Sequence, residues 1–296
     1  MPRSYPFEQV DVFTDRVFGG NQLAVFLEPD GLSDAQMQAI ALEMNISETT
    51  FVFPSTRPDC AARVRIFTPR RELPFAGHPT VGTAWAISRR RPDLGREFCL
   101  EEGVGPVPVT LEGETVWMQH RDPEWSAPLD NRATVAAALG LQEVDLLDDH
   151  PLLIGSTGAS FLYVPVRDPG TVDRVQPAVE SIPQISSGEA SGVFVFAPDL
   201  ERGPNRVYSR MLGSQALGVG EDPATGSASG PLAAYVAEHQ LVKLADPIEL
   251  LSLQGNKMGR PSLIHMRLQL RDGKAHAIQV GGRVVAAFDA VLHLPS

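Results

Sequence analysis

Three side chains of this sequence can give or take a proton, and each lies in a short segment of small and hydroxyl-bearing residues. They are Glu48 in NISETTFVF, His78 in AGHPTVGTA and Asp222 in GEDPATGSASG. Apolar neighbours raise the pKa of a carboxyl group toward neutrality, where it exchanges protons efficiently. Arranged around one bound carboxylate, the three groups would suit removal of a proton at one carbon and its return at another. Glu48 has a second interpretation, as an exposed residue at the junction of a helix and a strand.

The segment at 220–230 has the composition of an anion-binding loop but contains no lysine. Its backbone amides are able to hold a carboxylate, and Gly226, like Gly82 in the His78 segment, lets a ligand approach the backbone closely. The acid beside them, Asp222, would then hydrogen-bond or exchange protons with another part of the same ligand. Because proline and aspartate are also common at helix N-termini, two ordinary helix starts remain an alternative interpretation of both segments.

The two loop segments repeat one another. HPTVGTA at 78–84 aligns with DPATGSA at 222–228 at proline, glycine and the last alanine, with an offset of 144 residues. Each is preceded by a segment that starts with arginine, RIFTPRR at 65–71 and RMLGSQA at 210–216. The repeat indicates a duplication that produced two related lobes. We expect the two loops to face a shared cleft, since clefts between lobes are common binding sites.

The elements that position these loops can be predicted from hydrophobic periodicity. Ser33 and Gln36 have the spacing of a capping box. Helices are predicted at 33–44, 80–90, 131–139 and 226–239. Alternation with a period of two predicts strands near 8–13, 22–26, 50–53, 63–67, 107–111, 115–119, 161–166, 192–196, 206–210, 248–252, 263–270, 276–280 and 283–292. Because strands outnumber helices and do not alternate regularly with them, the sequence predicts an α+β fold.

Composition narrows the class of protein. The net charge of −11 argues against binding to nucleic acid or to an anionic membrane, and no apolar stretch has the length of a membrane-spanning helix. The first residues lack the apolar region of a signal peptide, so a cytoplasmic protein is expected. Cys60 and Cys99 form neither a disulfide framework nor a metal-binding pair, and we expect two idle thiols, with a single bridge as the alternative.

Five ordered segments resemble those of the PhzF-like isomerases of the phenazine-biosynthesis family, which has a diaminopimelate-epimerase-like fold. The segments lie at 11–26, 44–52, 65–84, 220–228 and 254–262. The resemblance implies two pseudo-symmetric lobes, each a curved and mostly antiparallel sheet around a central helix. The N-terminal lobe is expected to comprise residues 1–122 plus about 284–296, and the C-terminal lobe residues 123–283. It also implies an active site between the lobes and a homodimer.

The same resemblance implies roles for individual residues. Glu48 corresponds to the general acid–base of the family, and His78 and Asp222 line the same site. The substrate carboxylate is expected to contact the loop residues Gly77, Gly226 and Ser227. In the best-known member the reaction moves a proton between carbons of a cyclic dihydro-hydroxyanthranilate, without a metal or an organic cofactor. The sequence therefore predicts a cofactor-independent isomerase that acts on a small carboxylate-bearing substrate.

Other functions fit the sequence less well or remain as alternatives. A racemase that uses two thiols is disfavoured, because neither loop contains a cysteine. One histidine and two carboxylates are also the ligands of oxygenase-type iron sites, but the usual short His-x-Asp/Glu pair is missing. The sequence has no nucleophile elbow and no dinucleotide-binding fingerprint. A non-catalytic protein that binds a small carboxylate in the same cleft remains the main alternative.

Overall fold

A computed structural model describes residues 3–176, 181–186, 188–213 and 220–294 of the chain. These residues divide into two compact units, Met1–Gln119 with Gly281–Ser296 and His120–Val280. Each unit combines many strands with few helices, which confirms the predicted α+β class. The last three residues of the predicted RMLGSQA segment lie outside the described residues.

The strands are β1 (Arg3–Val12), β2 (Asn21–Phe26), β3 (Glu48–Phe53), β4 (Ala62–Phe67), β5 (Glu72–Leu73), β6 (Glu97–Glu102), β7 (Gly105–Glu112), β8 (Thr115–Gln119), β9 (Glu124–Trp125), β10 (Leu153–Ser156), β11 (Ser160–Pro165), β12 (Gly192–Pro198), β13 (Arg206–Gly213), β14 (Glu221–Asp222), β15 (Ile248–Gln254), β16 (Ser262–Arg271) and β17 (Lys274–Leu294). The helices are α1 (Asp34–Met44), α2 (Gly77–Arg90), α3 (Arg132–Ala138), α4 (Pro169–Arg174), α5 (Ile182–Ile185) and α6 (Gly226–Glu238). Short 3-10 turns lie at Pro92–Leu94, Glu143–Asp145 and Asn256–Met258. Among the described residues, no helix combines the length and the apolar character needed to cross a membrane.

The strands of the first unit form a sheet that closes on itself around α2. Strand β1 pairs with β2, β2 runs parallel to β3, β3 is antiparallel to β4, and β4 runs parallel to β6. The antiparallel pairs β6–β7 and β7–β8 follow, and β17 pairs with both β8 and β1. A Cβ atom on Gly82 of α2 would lie 2.6 Å from the Leu23 side chain and 2.8 Å from that of Val12. The prediction that Gly82 lets a ligand approach the backbone is therefore wrong, because side chains of the sheet occupy the space beside this glycine.

The second unit is built around α6 in the same way. Strands β9, β10 and β11 are antiparallel, β11 runs parallel to β12, β12 is antiparallel to β13, and β13 runs parallel to β15, which pairs with β16. Every residue of α6 from Gly226 to Ala237 is buried. The Tyr163 hydroxyl donates to the carbonyl oxygen of Ala228 at 2.8 Å, which fixes the first turns of α6 against the sheet.

The order of elements supports the predicted duplication but changes its alignment. In each unit, an antiparallel strand is followed by a two-residue strand, the central helix and a parallel strand. Ile66 pairs with Leu73 as Met211 pairs with Asp222, so Asp222 corresponds to Leu73 and the offset is 149 residues. The predicted alignment of His78 with Asp222 is therefore wrong. It matched residues 78–84, which lie within α2, with residues 222–228, which comprise the end of β14, a turn and the first residues of α6, because both segments contain proline, glycine and alanine.

The two cysteines lie beside each other in the first unit. Cys60 and Cys99 are free thiols, both half-buried, with Sγ atoms 2.8 Å apart. Cys60 precedes β4 and Cys99 lies in β6, so the parallel pairing of the two strands brings the thiols together.

Candidate active site

Parallel pairing and a helix start bring three polar side chains of the first unit together. Because β2 and β3 are parallel and Leu23 pairs with Glu48, the first residues of both strands lie at the same edge of the sheet. Asn21 begins β2 and Glu48 begins β3, while His78 is the second residue of α2. The strand–helix junction predicted for Glu48 is thus present, and it faces the start of the central helix.

The three side chains form a chain of contacts. Glu48 Oε2 lies 3.2 Å from His78 Nε2, and His78 Nδ1 lies 3.1 Å from the amide nitrogen of Asn21. An amide nitrogen can only donate, so Nδ1 accepts and the imidazole proton lies on Nε2. The protonated Nε2 atom of His78 therefore lies beside the Glu48 carboxyl group without forming a hydrogen bond in the described part of the chain, and Asn21 fixes both the tautomer and the orientation of the ring.

Burial keeps His78 neutral. The side chain is 4% exposed, and burial lowers the pKa of His78 to about 3, against a smaller opposing hydrogen bond with the backbone of Gln22. The contact with Glu48 therefore joins a neutral imidazole and a carboxyl group and is not an ion pair. Glu48 itself is 14% exposed, so its carboxyl group is largely removed from water but remains accessible. Such a group is suited to exchange a proton with a bound molecule.

In the second unit, a glutamine ties Asp222 to the start of α6. Asp222 is 6% exposed, and its Oδ2 accepts from the Thr225 hydroxyl at 2.6 Å. The Gln254 amide donates to the backbone oxygen of Asp222 at 2.8 Å and to the Thr225 hydroxyl at 2.9 Å, while its oxygen accepts from Thr225 N at 3.1 Å. The alternative interpretation of Asp222 as a helix cap is wrong, since Thr225 is the N-cap residue.

Each central helix begins with a glycine and presents amide groups that its own N-cap does not bind. Neither N-cap side chain forms a capping hydrogen bond to its helix. The first amides of an α-helix have no carbonyl of the helix to bond, and they attract anions. In α2 these amides belong to Gly77 and His78, and in α6 to Gly226 and Ser227. Each unit therefore has a pair of donors suited to a carboxylate.

An arginine in each unit braces the turn before the central helix. Arg65 binds Glu72 through two hydrogen bonds of 2.7 Å, and Arg210 binds Glu221 through two of 2.8 Å. Both pairs connect the strand before the turn with the two-residue strand after it. The sequence prediction noticed the two arginines but not their glutamate partners.

The predicted site residues thus lie in two groups, one in each unit. Glu48, His78 and Gly77 lie in the first unit, and the second contains Asp222, Gly226 and Ser227. Sequence reasoning did not select Asn21 or Gln254, although both lie in segments that carry the family resemblance. Among the residues that the structure describes, no three or more His, Cys, Asp or Glu side chains are arranged to hold a metal ion.

Comparisons with known proteins confirm the family. The model of the phenazine biosynthesis-like protein family, PhzC-PhzF, matches residues 10–290. The chain is 37% identical over 285 residues to the trans-2,3-dihydro-3-hydroxyanthranilate isomerase of Pseudomonas aeruginosa, covering 94% of this chain and 95% of that protein. It is 31% identical over 302 residues to an uncharacterized isomerase of Clostridium acetobutylicum, covering 99% and 100% of the two chains.

A solved structure shows the same fold. The crystal structure of the PhzF-family phenazine biosynthesis protein of Bacillus anthracis matches with a TM-score of 0.88 and 27% identity, covering 98% of this chain and 99% of that one. Fold, motifs and relatives agree with one another. The chain therefore belongs to the phenazine biosynthesis-like, or PhzC-PhzF, family of isomerases.

Proposed function

We propose that this chain is a cofactor-independent isomerase that moves a proton between two carbons of a small carboxylate-bearing substrate. The observation that carries the proposal is the position of Glu48, whose largely buried carboxyl group lies 3.2 Å from the Nε2 atom of a neutral histidine. A cationic histidine would hold Glu48 as an anion through an ion pair. A neutral one orients the carboxyl group and leaves it able to exchange a proton.

The proposed reaction needs one group that both removes and returns a proton. The Glu48 carboxylate takes a proton from one carbon, and the electron pair left behind shifts along the conjugated bonds of the substrate. The resulting carboxylic acid returns the proton to a second carbon. No electron is gained or lost overall, so the reaction requires neither a redox cofactor nor an external acid.

The remaining residues bind and orient the substrate in this proposal. Gly77, Gly226 and Ser227 are the proposed contacts of the substrate carboxylate, each through a backbone amide at the positive end of its own helix. His78 keeps the Glu48 carboxyl group in place, and Asp222 accepts a hydrogen bond from an amino or hydroxyl group of the substrate. The name of the Pseudomonas aeruginosa relative supports a cyclic dihydro-hydroxyanthranilate as the first substrate to test.

The experiment measures conversion of trans-2,3-dihydro-3-hydroxyanthranilate by NMR, with binding followed by calorimetry. Glu48→Gln keeps the size and hydrogen-bonding capacity of the side chain but cannot carry the proton. We expect it to bind the substrate and to lose about 100-fold or more in turnover. Glu43→Gln is the matched control, because Glu43 is an exposed residue of α1 and its change should leave turnover unaltered.

Two outcomes would contradict the proposal. Saturable binding without conversion, in the wild-type protein and with every related acid, would favour a non-catalytic binding protein. Full turnover by Glu48→Gln would exclude Glu48 as the proton carrier. The proposal also includes a homodimer and a cytoplasmic location, which light scattering of the purified protein and fractionation of cells would test.

A further inference from the structure

The carboxyl group of Glu102 is buried near the start of α2, and the proposed mechanism does not use it. Glu102 is the last residue of β6 and is 5% exposed. Its Oε1 atom lies 2.7 Å from the Thr80 hydroxyl, and its Oε2 atom has no hydrogen-bond partner in the part of the chain that the structure describes. A carboxylate here would lack the contacts that offset the cost of burying a charge.

The hydrogen bonds of Thr80 indicate where a proton must lie. The Thr80 hydroxyl oxygen is 2.7 Å from the carbonyl oxygen of Ala76 and 2.7 Å from Glu102 Oε1. A hydroxyl group has one proton to donate, and a carbonyl oxygen can only accept. Both contacts are hydrogen bonds at the same time if Thr80 donates to Ala76 and Glu102 donates its own proton to Thr80.

The second unit has a neutral donor at the equivalent position. Strands β4 and β6 pair with the same register as β13 and β15, so Glu102 corresponds to Gln254. Each is followed by a glycine on which a Cβ atom would collide with the proline before the central helix, at 2.7 Å from Pro74 and at 2.6 Å from Pro223. The Gln254 amide cannot ionise and donates to Thr225, the N-cap of α6. A protonated carboxyl group has a similar shape and also carries a donor, although its partner Thr80 is the fourth residue of α2 and not the N-cap.

In the described part of the chain, the charged side chains around Glu102 form no ion pair with it. Four charged side chains from β4, β5 and β6 line the same cavity, namely Arg63, Arg65, Glu72 and Glu101. Arg65 binds Glu72, the Arg63 guanidinium lies 5.4 Å from the centre of the Phe53 ring, and Glu101 accepts hydrogen bonds from Ser55 and Thr56. On α2, His78 is neutral. Burial accordingly raises the pKa of Glu102 to about 8, against a smaller opposing contribution from Thr80.

We propose that Glu102 is a neutral carboxylic acid in the active enzyme and donates a hydrogen bond to Thr80 that holds the first turn of α2. Glu102 is then a positioning residue for Gly77 and His78, a role that rests on the function proposed above. When Glu102 ionises, its proton passes to solvent, the hydrogen bond that it donated to Thr80 is lost, and a negative charge is placed near the amides that bind the substrate carboxylate. The enzyme therefore loses activity in alkaline solution through weaker substrate binding.

The pH dependence of kcat/KM tests this role. With a pKa of about 8, the ionised form of Glu102 exceeds the neutral form about tenfold at pH 9. We therefore expect wild-type kcat/KM to fall about tenfold between pH 7 and pH 9, mainly through KM. Glu102→Gln donates at every pH and should remove this fall. Glu101→Gln, the matched control on the same strand, should keep it, because hydroxyl groups of Thr56 and Ser55 hold the pKa of Glu101 to about 2.

Infrared spectroscopy gives a readout that does not depend on turnover. At pH 7 the wild-type protein should show the carbonyl stretching band of a buried protonated carboxyl group, which titrates away with a midpoint near pH 8 and is absent from Glu102→Gln. The titration in the wild-type protein does not depend on how well the variant folds. Absence of the band at pH 7 would overturn the assignment, and an unchanged alkaline fall in Glu102→Gln would overturn the positioning role. Presence of the band without conversion of any acid would refute only the proposed function.

Discussion

Replacement of Arg210 by methionine should destabilise the second unit far more than the equivalent change at Arg65 destabilises the first. Arg210 and Glu221 are 5% and 15% exposed, and Arg210 also donates to the carbonyl oxygens of Val172 and Val175 at 3.1 and 2.8 Å. Arg210→Met leaves a buried carboxylate and two carbonyl groups without their donor. Loss of one partner of such a buried pair costs about 3–5 kcal/mol.

The Arg65 pair is closer to the surface, and its loss should cost less. Arg65 and Glu72 are 21% and 42% exposed, so water screens the attraction and can replace the lost contact. Exposed pairs of this kind contribute about 1 kcal/mol or less. The two variants make the same chemical change at equivalent positions of the repeat. The difference between them reports the greater burial of the Arg210 pair and its two carbonyl contacts, against the exposed second ion pair of Arg65 with Asp34.

Hydrogen exchange followed by mass spectrometry can measure the two costs separately, because it reports the stability of each unit from its own peptides. We expect protection in β12 and β13 to fall strongly in Arg210→Met and protection in β3 and β4 to fall slightly in Arg65→Met. The double variant Arg210→Met with Glu221→Leu should recover part of the loss, since it removes the unpaired charge but not the two unpaired carbonyl groups. Equal costs for the two arginines, or no recovery in the double variant, would refute the reasoning.

Two further predictions concern the histidine of the first unit. Because the pKa of His78 falls from 6.5 when unfolded to about 3 when folded, the unfolded chain binds more protons between these values, and the free energy of unfolding should rise with pH across this window by up to about 5 kcal/mol. Urea unfolding at fixed pH values should show this slope in the wild-type protein and lack it in His78→Gln; an identical slope in both would contradict the assignment. Asn21→Asp places a negative charge beside His78 Nδ1 and should raise the pKa of His78, which nitrogen NMR of the imidazole would detect, and a pKa that stays near 3 would argue against this contact.

Local sequence signals predicted much of the fold. Helix α1 begins at Asp34, with Ser33 and Gln36 forming the predicted capping box, because capping depends only on residues that are close in the chain. The position of Glu48 at the start of a strand was also predictable, because the end of the preceding helix and the apolar run that follows are both local features. Strand β6 was not predicted, because three of its six residues are glutamates and the sequence therefore lacks the alternation of apolar and polar residues that is typical of a half-buried strand.

Features that depend on distant pairing could not be predicted in the same way. Asn21 contacts His78 only because α2 packs against β2, and one sequence does not reveal which elements pack together. The correct alignment of the repeat is set by strand register, whereas the sequence offered a competing match five residues away. The burial of Glu102 is also a result of tertiary packing. Nothing in the sequence distinguishes this glutamate from the other glutamates near it.

The most direct test of the central claim compares Glu48→Asp with Glu48→Gln at saturating substrate in a single turnover. Aspartate keeps a group that exchanges protons but is one methylene shorter, whereas glutamine keeps the length and the contact with His78 but cannot carry the proton. If Glu48 moves the proton, Glu48→Asp keeps measurable turnover while Glu48→Gln, with substrate bound, has almost none. Equal turnover by the two variants, or faster turnover by Glu48→Gln, would contradict the account.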